Sequence, residues 1–353
     1  MVKLKISFYR YSLFNRGGDR LSLEYANYLS RIGHDVTLYV VKLNTAFVLE
    51  PTVKIQIIPA RNKAEFLART AIARLHQDAV VIDIIHLAGL LARNNKVVYY
   101  AQADDVEYYD NPLLRKFIDY LYRRESRSGR GIIVMSQHLS DILCRRHDFK
   151  EVHTLNTGID HKLFYPEPDD ELVALKGSRK ALVFMSRGDV YRKGRDLGEQ
   201  LIVKLGKLLA DKMEVWICGD HYDPQLPGLN VRNFGTVSDA RLRQILSSAD
   251  IFLYPSRHEG FGLFPLEAMA CGCVAVTSEA IPYAKDCPVI LSSSIGDVAA
   301  MARDIESLVL DEAFYRELQA GVVSHAALYD FEETKKQFEE ALMLIAGRQC
   351  ESA

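Results

Sequence analysis

The chain has 353 residues, about twice the length of an ordinary single domain, which predicts two domains. Apolar residues make up 48% and charged residues 25% of the sequence, close to the average for globular proteins, which excludes a disordered, collagen-like or disulfide-scaffold protein. The net charge of −2 gives no reason to expect nucleic-acid binding, although residues 1–165 carry +7 and the remainder −9. This asymmetry indicates either an anionic partner for the first half or an accident of solvated surface.

The first half of the chain predicts alternating strands and helices. A strand–helix–strand unit within about 40 residues is typical of a parallel sheet with right-handed crossovers. The predicted elements are a strand at 3–9, a polar loop at 10–18, a helix at 19–32, strands at 36–41, 80–85, 96–100, 131–135 and 153–155, and a helix with Ser136 as its N-cap. We therefore expect an α/β domain over residues 1–165.

The second half repeats the pattern after an acidic, proline-bearing linker at 164–180. The predicted elements are strands at 181–185, 213–218, 231–234, 251–254 and 273–277, a helix at 196–209, a helix capped by Ser238, and a final helix at 331–348. We expect a second α/β domain over residues 166–330, with a cleft where the strand ends of the two domains face each other.

The six cysteines show no Cys-x-x-Cys pair and no His or Asp framework around them, so no metal site is predicted. This cysteine usage is typical of a reducing compartment. The first residues read as a charged strand and not as a signal peptide, and the most apolar stretch, 79–92, is too short to cross a bilayer. We expect a cytoplasmic protein.

The strongest motif lies between a predicted strand and a predicted helix, from Tyr254 to Gly272. Its loop contains Gly260 and Gly262, and Pro265 is well placed as the first helical residue. A glycine-bearing loop that leads into a helix N-terminus offers free N–H groups to a phosphate. The carboxylates of Glu259 and Glu267 repel a phosphate and suit sugar hydroxyls, although Glu267 alone also reads as a residue that complements the helix dipole.

This string closely resembles the Glu-x7-Glu motif of retaining glycosyltransferases of family 4, which have the GT-B fold of two Rossmann-like domains. The resemblance implies that Glu267 holds the ribose of a nucleotide-sugar and that Glu259 contacts the donor sugar. It also implies that backbone amides near Phe261–Phe264, with Gly260, Gly262 and Leu263 among the donor-binding residues, hold the diphosphate. The final helix is implied to cross back onto the first domain.

Other segments resemble the same family. Arg187 and Lys193 resemble its Arg and Lys-Gly pair, and two fixed cations stabilise the charge that a nucleoside diphosphate develops as it leaves. Gly17 and Gly18 resemble the N-terminal diglycine that lets backbone approach the diphosphate. Val237, in Phe-Gly-Thr-Val, lies in a segment that resembles the one contacting the base. No metal is required, because the cations and helix N–H groups replace it.

The first domain departs from the family pattern. Many relatives have a histidine close to the reacting carbon, whereas this chain has Gln102, followed by Asp104. The pattern is similar to rhamnosyltransferases of surface-glycan assembly. Gln102 can hydrogen-bond a sugar hydroxyl but cannot act as a general base. His86, predicted at a strand end, reads either as lining the acceptor site or as a structural histidine.

Residues 113–130 form a basic amphipathic stretch that reads either as an ordinary surface helix or as a contact with anionic lipid. Peripheral contact with the inner face of the membrane would suit a glycan or lipid-linked acceptor.

The sequence thus predicts a glycosyltransferase that uses a nucleotide-diphospho-sugar, with the donor site in the second domain. No carboxylate pair typical of double displacement is evident, so front-face transfer with retention fits best. A GT-B-fold NDP-sugar 2-epimerase and a non-catalytic sugar-nucleotide binding protein are the alternatives. The donor base, donor sugar and acceptor are not specified by the sequence.

Overall fold

The computed structural model describes the backbone of residues 3–14, 17–45, 47–73, 75–220 and 228–351. The chain folds into two compact units. The first comprises residues up to Asn156 together with those from Glu332 onward, and the second comprises Thr157–Phe331.

The described part of the first unit contains a parallel sheet of seven strands in the order β3-β2-β1-β4-β5-β6-β7. The strands are β1 (Lys5–Leu13), β2 (Asp35–Leu43), β3 (Lys54–Ile57), β4 (Ala79–Ile82), β5 (Val97–Ala101), β6 (Ile132–Val134) and β7 (Val152–Thr154). The helices are α1 (Gly17–Arg31), α2 (Lys63–Ile72), α3 (Ile85–Leu90), α4 (Pro112–Ser126) and α5 (Gln137–His147), with a 3-10 helix at Asp105–Tyr108. Strands β4, β5 and β6 are buried along their whole length, as expected for strands covered on both faces.

The described part of the second unit contains a parallel sheet of six strands in the order β10-β9-β8-β11-β12-β13. The strands are β8 (Lys180–Ser186), β9 (Met213–Gly219), β10 (Asn230–Gly235), β11 (Ile251–Tyr254), β12 (Val274–Ser278) and β13 (Ile290–Ser293). The helices are α6 (Asp170–Lys176), α7 (Arg195–Leu209), α8 (Asp239–Ser248), α9 (Leu263–Ala270), α10 (Val298–Leu310) and α11 (Glu312–Ala326), with a 3-10 helix at Ala284–Asp286.

The predicted fold class of two parallel Rossmann-like sheets is therefore confirmed. In each sheet the strand order reverses once, between β1 and β4 and between β8 and β11. Loops at the carboxyl ends of the strands beside such a reversal diverge and leave a crevice for ligands. The loops after β1, β4, β8 and β11 are accordingly the places to look for a site.

The unit boundary lies at Asn156, whereas the sequence placed the domain boundary at 165. The backbone explains the difference, because Ile159 forms an isolated bridge with Asp330 and its N–H donates to the carbonyl of Tyr329. Arg243 also donates to the carbonyl of Leu163. These contacts hold residues 157–165 on the second unit.

Several helix and strand limits differ from the sequence prediction. The strand predicted at 80–85 ends at Ile82, and α3 begins at Ile85, so His86 lies in a helix and not at a strand end. Helix α9 begins at Leu263, two residues before Pro265, which occupies its third position. A proline is tolerated there because the first N–H groups of a helix have no intrahelical partner. Elements β3, β13, α2, α3, α6, α10 and α11 were not predicted from the sequence, and α6 lies within the segment 164–180 that was predicted as a linker.

The last helix, α12 (Phe331–Glu351), packs on the first unit. Phe338 is fully buried, stacked 4.0 Å from the Tyr25 ring and edge-on to Tyr100 at 5.4 Å. On the same helix Glu339 accepts a hydrogen bond from the Tyr28 hydroxyl at 3.0 Å. In the described part of the chain, no helix combines the length and apolarity needed to cross a membrane.

Replacing Phe338 with Ala should lower the unfolding free energy of the first unit by about 3–5 kcal/mol, because a buried aromatic ring leaves a cavity. The single tryptophan, Trp216, lies in the second unit, so urea unfolding followed by tryptophan fluorescence reports on that unit while circular dichroism reports on both. We expect part of the dichroism transition to move to lower urea while the fluorescence midpoint changes much less. Leu344→Ala, at a half-exposed position of the same helix, is the control. Equal effects of the two variants would contradict the packing described here.

Candidate functional site

The loop between β11 and α9 is shaped by Gly262. Its φ of 91° lies in the left-handed region, and a Cβ at this position would lie 2.7 Å from Cδ1 of Ile281. The hydroxyl of Tyr283 donates to the Gly262 carbonyl, and the buried ring of Phe261 packs 5.1 Å from that of Tyr283. The Phe261 side chain therefore anchors the loop, and the backbone after Gly262 presents the N-terminal N–H groups of α9.

The loop after β8 packs directly on the loop after β11. A Cβ on Gly194, whose φ is 66°, would lie 1.9 Å from the carbonyl oxygen of Pro255. The backbone N–H of Arg257 donates to the Arg192 carbonyl at 2.7 Å. The Arg257 guanidinium also holds both carboxylate oxygens of Asp196 at 2.7 Å. Because β8 and β11 are neighbouring strands, these contacts fix the two loops against each other at one sheet edge.

This docking brings Lys193 to Glu259. The Lys193 ammonium donates to Oε1 of Glu259 at 2.8 Å, and the same oxygen accepts from the Tyr254 hydroxyl at 2.8 Å and lies 2.9 Å from Oγ of Ser256. The Glu259 side chain is 9% exposed and that of Lys193 is 27% exposed. Burial of a carboxylate is unfavourable unless its charge is paired and hydrogen-bonded, and these donors supply both conditions.

Arg187 follows β8 directly and lies beside the first turn of α9. Its guanidinium carbon lies 5.2 Å from the ring centroid of Phe264, whose ring lies 6.0 Å from that of Tyr254. Among the described residues Arg187 forms no ion pair, so its charge remains available to an anion. The structure thus places Arg187 beside the first turn of α9, and it pairs Lys193 with Glu259 in the loop that leads into this helix.

The remaining predicted donor residues of the second unit lie near the same edge of its sheet. Glu267 is buried, at 4% exposure, as the fifth residue of α9. Gly260 lies in the loop after β11, and Leu263 is the first residue of α9. Val237 follows β10, where Thr236 donates to the Gly219 carbonyl at the end of β9. No three His, Cys, Asp or Glu side chains cluster as metal ligands within the described residues.

In the first unit, Gly17 and Gly18 form the first turn of α1 and not a loop. The Gln102 amide donates to the Gly18 carbonyl at 3.2 Å and to the Ser22 hydroxyl at 3.1 Å. A Cβ on Gly18 would lie 2.2 Å from Oε1 of Gln102. Gln102 thus clamps the start of α1, a contact that the sequence analysis did not foresee.

Arg10 is a further residue that sequence reasoning missed. It is mostly buried and pairs with Asp19 and Asp83, both at 2.6 Å, and it donates to the Gly18 carbonyl at 3.3 Å. A cation directly after the strand predicted at 3–9 was the available signal. The network joins the ends of β1 and β4 to the first turn of α1.

The other predicted residues of the first unit lie beyond the carboxyl ends of β4 and β5. Asp104 caps the 3-10 helix and pairs with Arg146, and burial raises the pKa of its carboxyl group. His86 shares a 3.0 Å hydrogen bond with the Tyr109 hydroxyl, and burial lowers its pKa to about 4, so it is neutral at pH 7. The neighbouring Asp105, not predicted from sequence, has its pKa raised to about 7, chiefly by burial.

The clamp on α1 predicts coupled effects of substitution. Gly18→Ala should displace the Gln102 side chain and lower the unfolding free energy by about 1–2 kcal/mol through its lost hydrogen bonds. In a Gln102→Ala background the same change should cost much less, because the clash is gone. The double-mutant cycle is measured by urea unfolding, with Gly347→Ala as the control, since nothing lies within 4 Å of its added Cβ. Additive effects would contradict the clamp.

Two family descriptions match the chain. Glycosyltransferase Family 4 matches residues 15–163, and Glycosyl transferases group 1 matches residues 179–311. The lipopolysaccharide core biosynthesis mannosyltransferase LpcC of Rhizobium leguminosarum bv. viciae is 30% identical over 240 residues, which cover 61% of this chain and 64% of that protein. The chain matches its curated relatives over only part of their own length, as little as 12% for the serotype-specific mannosyltransferase WbdA of Escherichia coli.

Solved structures resemble the whole chain. Sucrose-phosphate synthase from Thermosynechococcus elongatus superposes with a TM-score of 0.80 at 17% identity, covering 98% of this chain and 100% of that one. Anabaena HepE in complex with UDP-glucose gives a TM-score of 0.73 at 15% identity, covering 96% and 99%. At these identities the likeness shows the fold. The two family matches together cover most of the chain and show that it belongs to the group 1 glycosyltransferases of family 4, and the solved structures show that its fold is the GT-B fold.

Proposed function

We propose that this protein transfers a glycosyl residue from a nucleotide-diphospho-sugar to an acceptor hydroxyl, with retention of configuration, in glycan biosynthesis. The observation that carries the proposal is the cluster of Arg187, Lys193 and Glu259 around the N-terminus of α9. Two cations and a helix amino end suit a diphosphate, and a fixed carboxylate suits a sugar hydroxyl. HepE, which shares the fold, was solved with UDP-glucose.

In the proposed reaction the bond between the anomeric carbon and the diphosphate oxygen breaks while the acceptor oxygen approaches from the same face. Negative charge then develops on the leaving diphosphate, where Arg187, Lys193 and the N–H groups of α9 stabilise it. Glu259 would hold the donor sugar, and Glu267 the ribose. The donor needs no metal ion in this scheme, because fixed positive groups take up the charge.

The first unit would bind the acceptor through the polar cluster beyond β4 and β5. His86 is a poor proton acceptor there because its pKa is about 4. Gln102 has no basic group, because its nitrogen belongs to an amide, and that nitrogen already donates to Gly18 and Ser22. Neither residue is thus suited to serve as the general base, and the departing diphosphate is the group proposed to take the acceptor proton. The family matches favour transfer over the epimerase alternative.

Arg187→Ala tests this proposal. Thermal-shift measurements with UDP, GDP, ADP and dTDP and their sugars first identify the donor, since a ligand that binds only the folded state raises the melting temperature. We expect Arg187→Ala to lower kcat by about 10²–10³-fold, the usual cost of one lost charge-stabilising group, with a much smaller loss of donor affinity. The assay uses labelled donor with EDTA present.

Arg316→Ala, at an exposed surface pair of the same unit, is the matched control and should retain full activity. Conversion of the labelled donor without any acceptor would instead support the epimerase alternative. Full activity of Arg187→Ala would contradict the proposed role of the cluster.

We also propose that α4 contacts an anionic membrane surface, where a lipid-linked acceptor would lie. Leu113, Phe117 and Tyr120 follow one another along an exposed helix face, with Leu113 75% exposed. The same face continues into an open groove of about 460 Å³ whose lining contains no acidic residue. The groove is lined by Ala92, Arg93, Tyr120, Arg124, Arg127 and Ser128. Adjacent apolar and cationic groups match the chains and phosphates of an anionic phospholipid.

Vesicle flotation tests the membrane proposal. The protein should bind vesicles of phosphatidylcholine with phosphatidylglycerol more tightly than vesicles of phosphatidylcholine alone, and salt should weaken the binding. A double Arg124→Gln/Arg127→Gln variant should lose most of this preference, at about 1 kcal/mol per removed charge. Ile72→Ser, at an exposed apolar position outside α4, is the control. Equal binding to both vesicle types would refute the proposal.

A further inference from the structure

The two carboxylate oxygens of Glu259 have different surroundings. Oε1 is within hydrogen-bond distance of three donor groups, namely the Lys193 ammonium, the Tyr254 hydroxyl and the Ser256 hydroxyl. Oε2 accepts no hydrogen bond from any described residue. A carboxylate held through one oxygen keeps its second oxygen available to a ligand, with its direction fixed by the groups on the first.

The three donors differ in how firmly they are placed. Tyr254 is the last residue of β11, where it pairs in register with Thr277 of β12, and its side chain is buried. Its hydroxyl donates a hydrogen bond to Glu259. Burial raises the pKa of Tyr254 well above the usual range, so the hydroxyl stays protonated. Lys193 lies in a loop on a flexible four-carbon stem and is more exposed.

The Ser256 hydroxyl is a second neutral donor to the same oxygen, and it has other acceptors within reach. Its Oγ lies 2.9 Å from Glu259 Oε1, but also 3.0 Å from the Arg192 carbonyl and 3.3 Å from that of His258. One hydroxyl proton serves one acceptor best, and the charged carboxylate is the strongest acceptor of the three.

The proposed function gives Lys193 a second partner, because its ammonium would stabilise the diphosphate. A cation drawn toward the diphosphate releases part of its hold on Glu259, and the carboxylate must then be held by groups that do not move. We infer that Tyr254, assisted by Ser256, is a positioning residue that keeps Glu259 directed at a hydroxyl of the donor sugar while Lys193 engages the diphosphate. This inference rests on the proposed function and assigns the hydroxyl of Tyr254 a role in sugar recognition.

The test separates binding of the nucleotide from binding of the sugar. For each variant, the Kd of the free nucleoside diphosphate and the Kd of the matching nucleotide-sugar are measured by titration calorimetry. Tyr254→Phe should leave the nucleoside diphosphate Kd within about 2-fold of wild type. It should reduce the additional affinity that the sugar gives to the nucleotide-sugar over the free nucleoside diphosphate. It should also lower kcat/KM by about 10-fold to 100-fold, the range for a hydrogen bond to a charged group.

Tyr315→Phe is the matched control. This buried tyrosine of the same unit also donates to a carboxylate, that of Asp250 at 3.3 Å, away from the site. It should leave both dissociation constants and kcat/KM unchanged, whatever it does to stability. A purely structural role for Tyr254 predicts that the two variants behave alike in binding.

A double-mutant cycle measures the coupling between Tyr254 and Glu259 in kcat/KM, which a general loss of stability does not produce. In a Glu259→Gln background the additional effect of Tyr254→Phe on kcat/KM should largely disappear, because the carboxylate that Tyr254 holds is gone. Ser256→Ala provides a second variant should Tyr254→Phe fail to fold, with a loss in the same direction and of smaller size. An unchanged sugar contribution in the folded variants, or additive effects in the cycle, would overturn the inference.

The outcomes also distinguish the inference from the proposed function. If wild-type protein binds none of the nucleotides or their sugars, the proposed function fails. If it binds a nucleotide-sugar and turns it over while Tyr254→Phe and Ser256→Ala match the wild type, only the positioning role fails.

Discussion

The candidate site of the second unit is organised around the ion pair of Lys193 with the mostly buried carboxylate of Glu259. A carboxylate that is 9% exposed is unfavourable unless donors surround it, and the donors here come from two different loops and the end of a strand. The loops after β8 and β11 must therefore dock closely. Gly194 permits that approach, since any side chain there would strike the carbonyl of Pro255.

The first unit also contains a mostly buried charge that must be paired, and in this unit the charge is positive. The mostly buried guanidinium of Arg10 is balanced by Asp19 and Asp83, and with Gln102 it fixes the first turn of α1. Both units thus place a paired, buried charge where the order of the sheet reverses. In both units the ion pairs fix the loops and the helix start that lie beside this reversal.

Much of the fold could be predicted from the sequence, because parallel strands covered on both faces read as apolar runs between amphipathic helices. Strand β11 and the caps of α5 and α8 lie where the sequence placed them. Strand β3 was missed although Ile55 and Ile57 alternate with polar residues, because the run is only four residues long and no buried face marks it as a strand. The boundary near 156 was missed because it depends on backbone pairing between Ile159 and Asp330, which are distant in sequence.

The site residues show the same division between local and long-range information. Motif resemblance located Arg187, Lys193 and Glu259, because their spacing from strands β8 and β11 is local. It did not predict the hydrogen bond from Tyr254 to Glu259 or the one from Gln102 to Gly18. Both depend on side-chain directions that are set only in the folded chain. Gln102 illustrates the consequence for mechanism. A residue that seemed to replace a histidine contributes its amide nitrogen to the shape of α1, where both N–H groups of that nitrogen are already engaged.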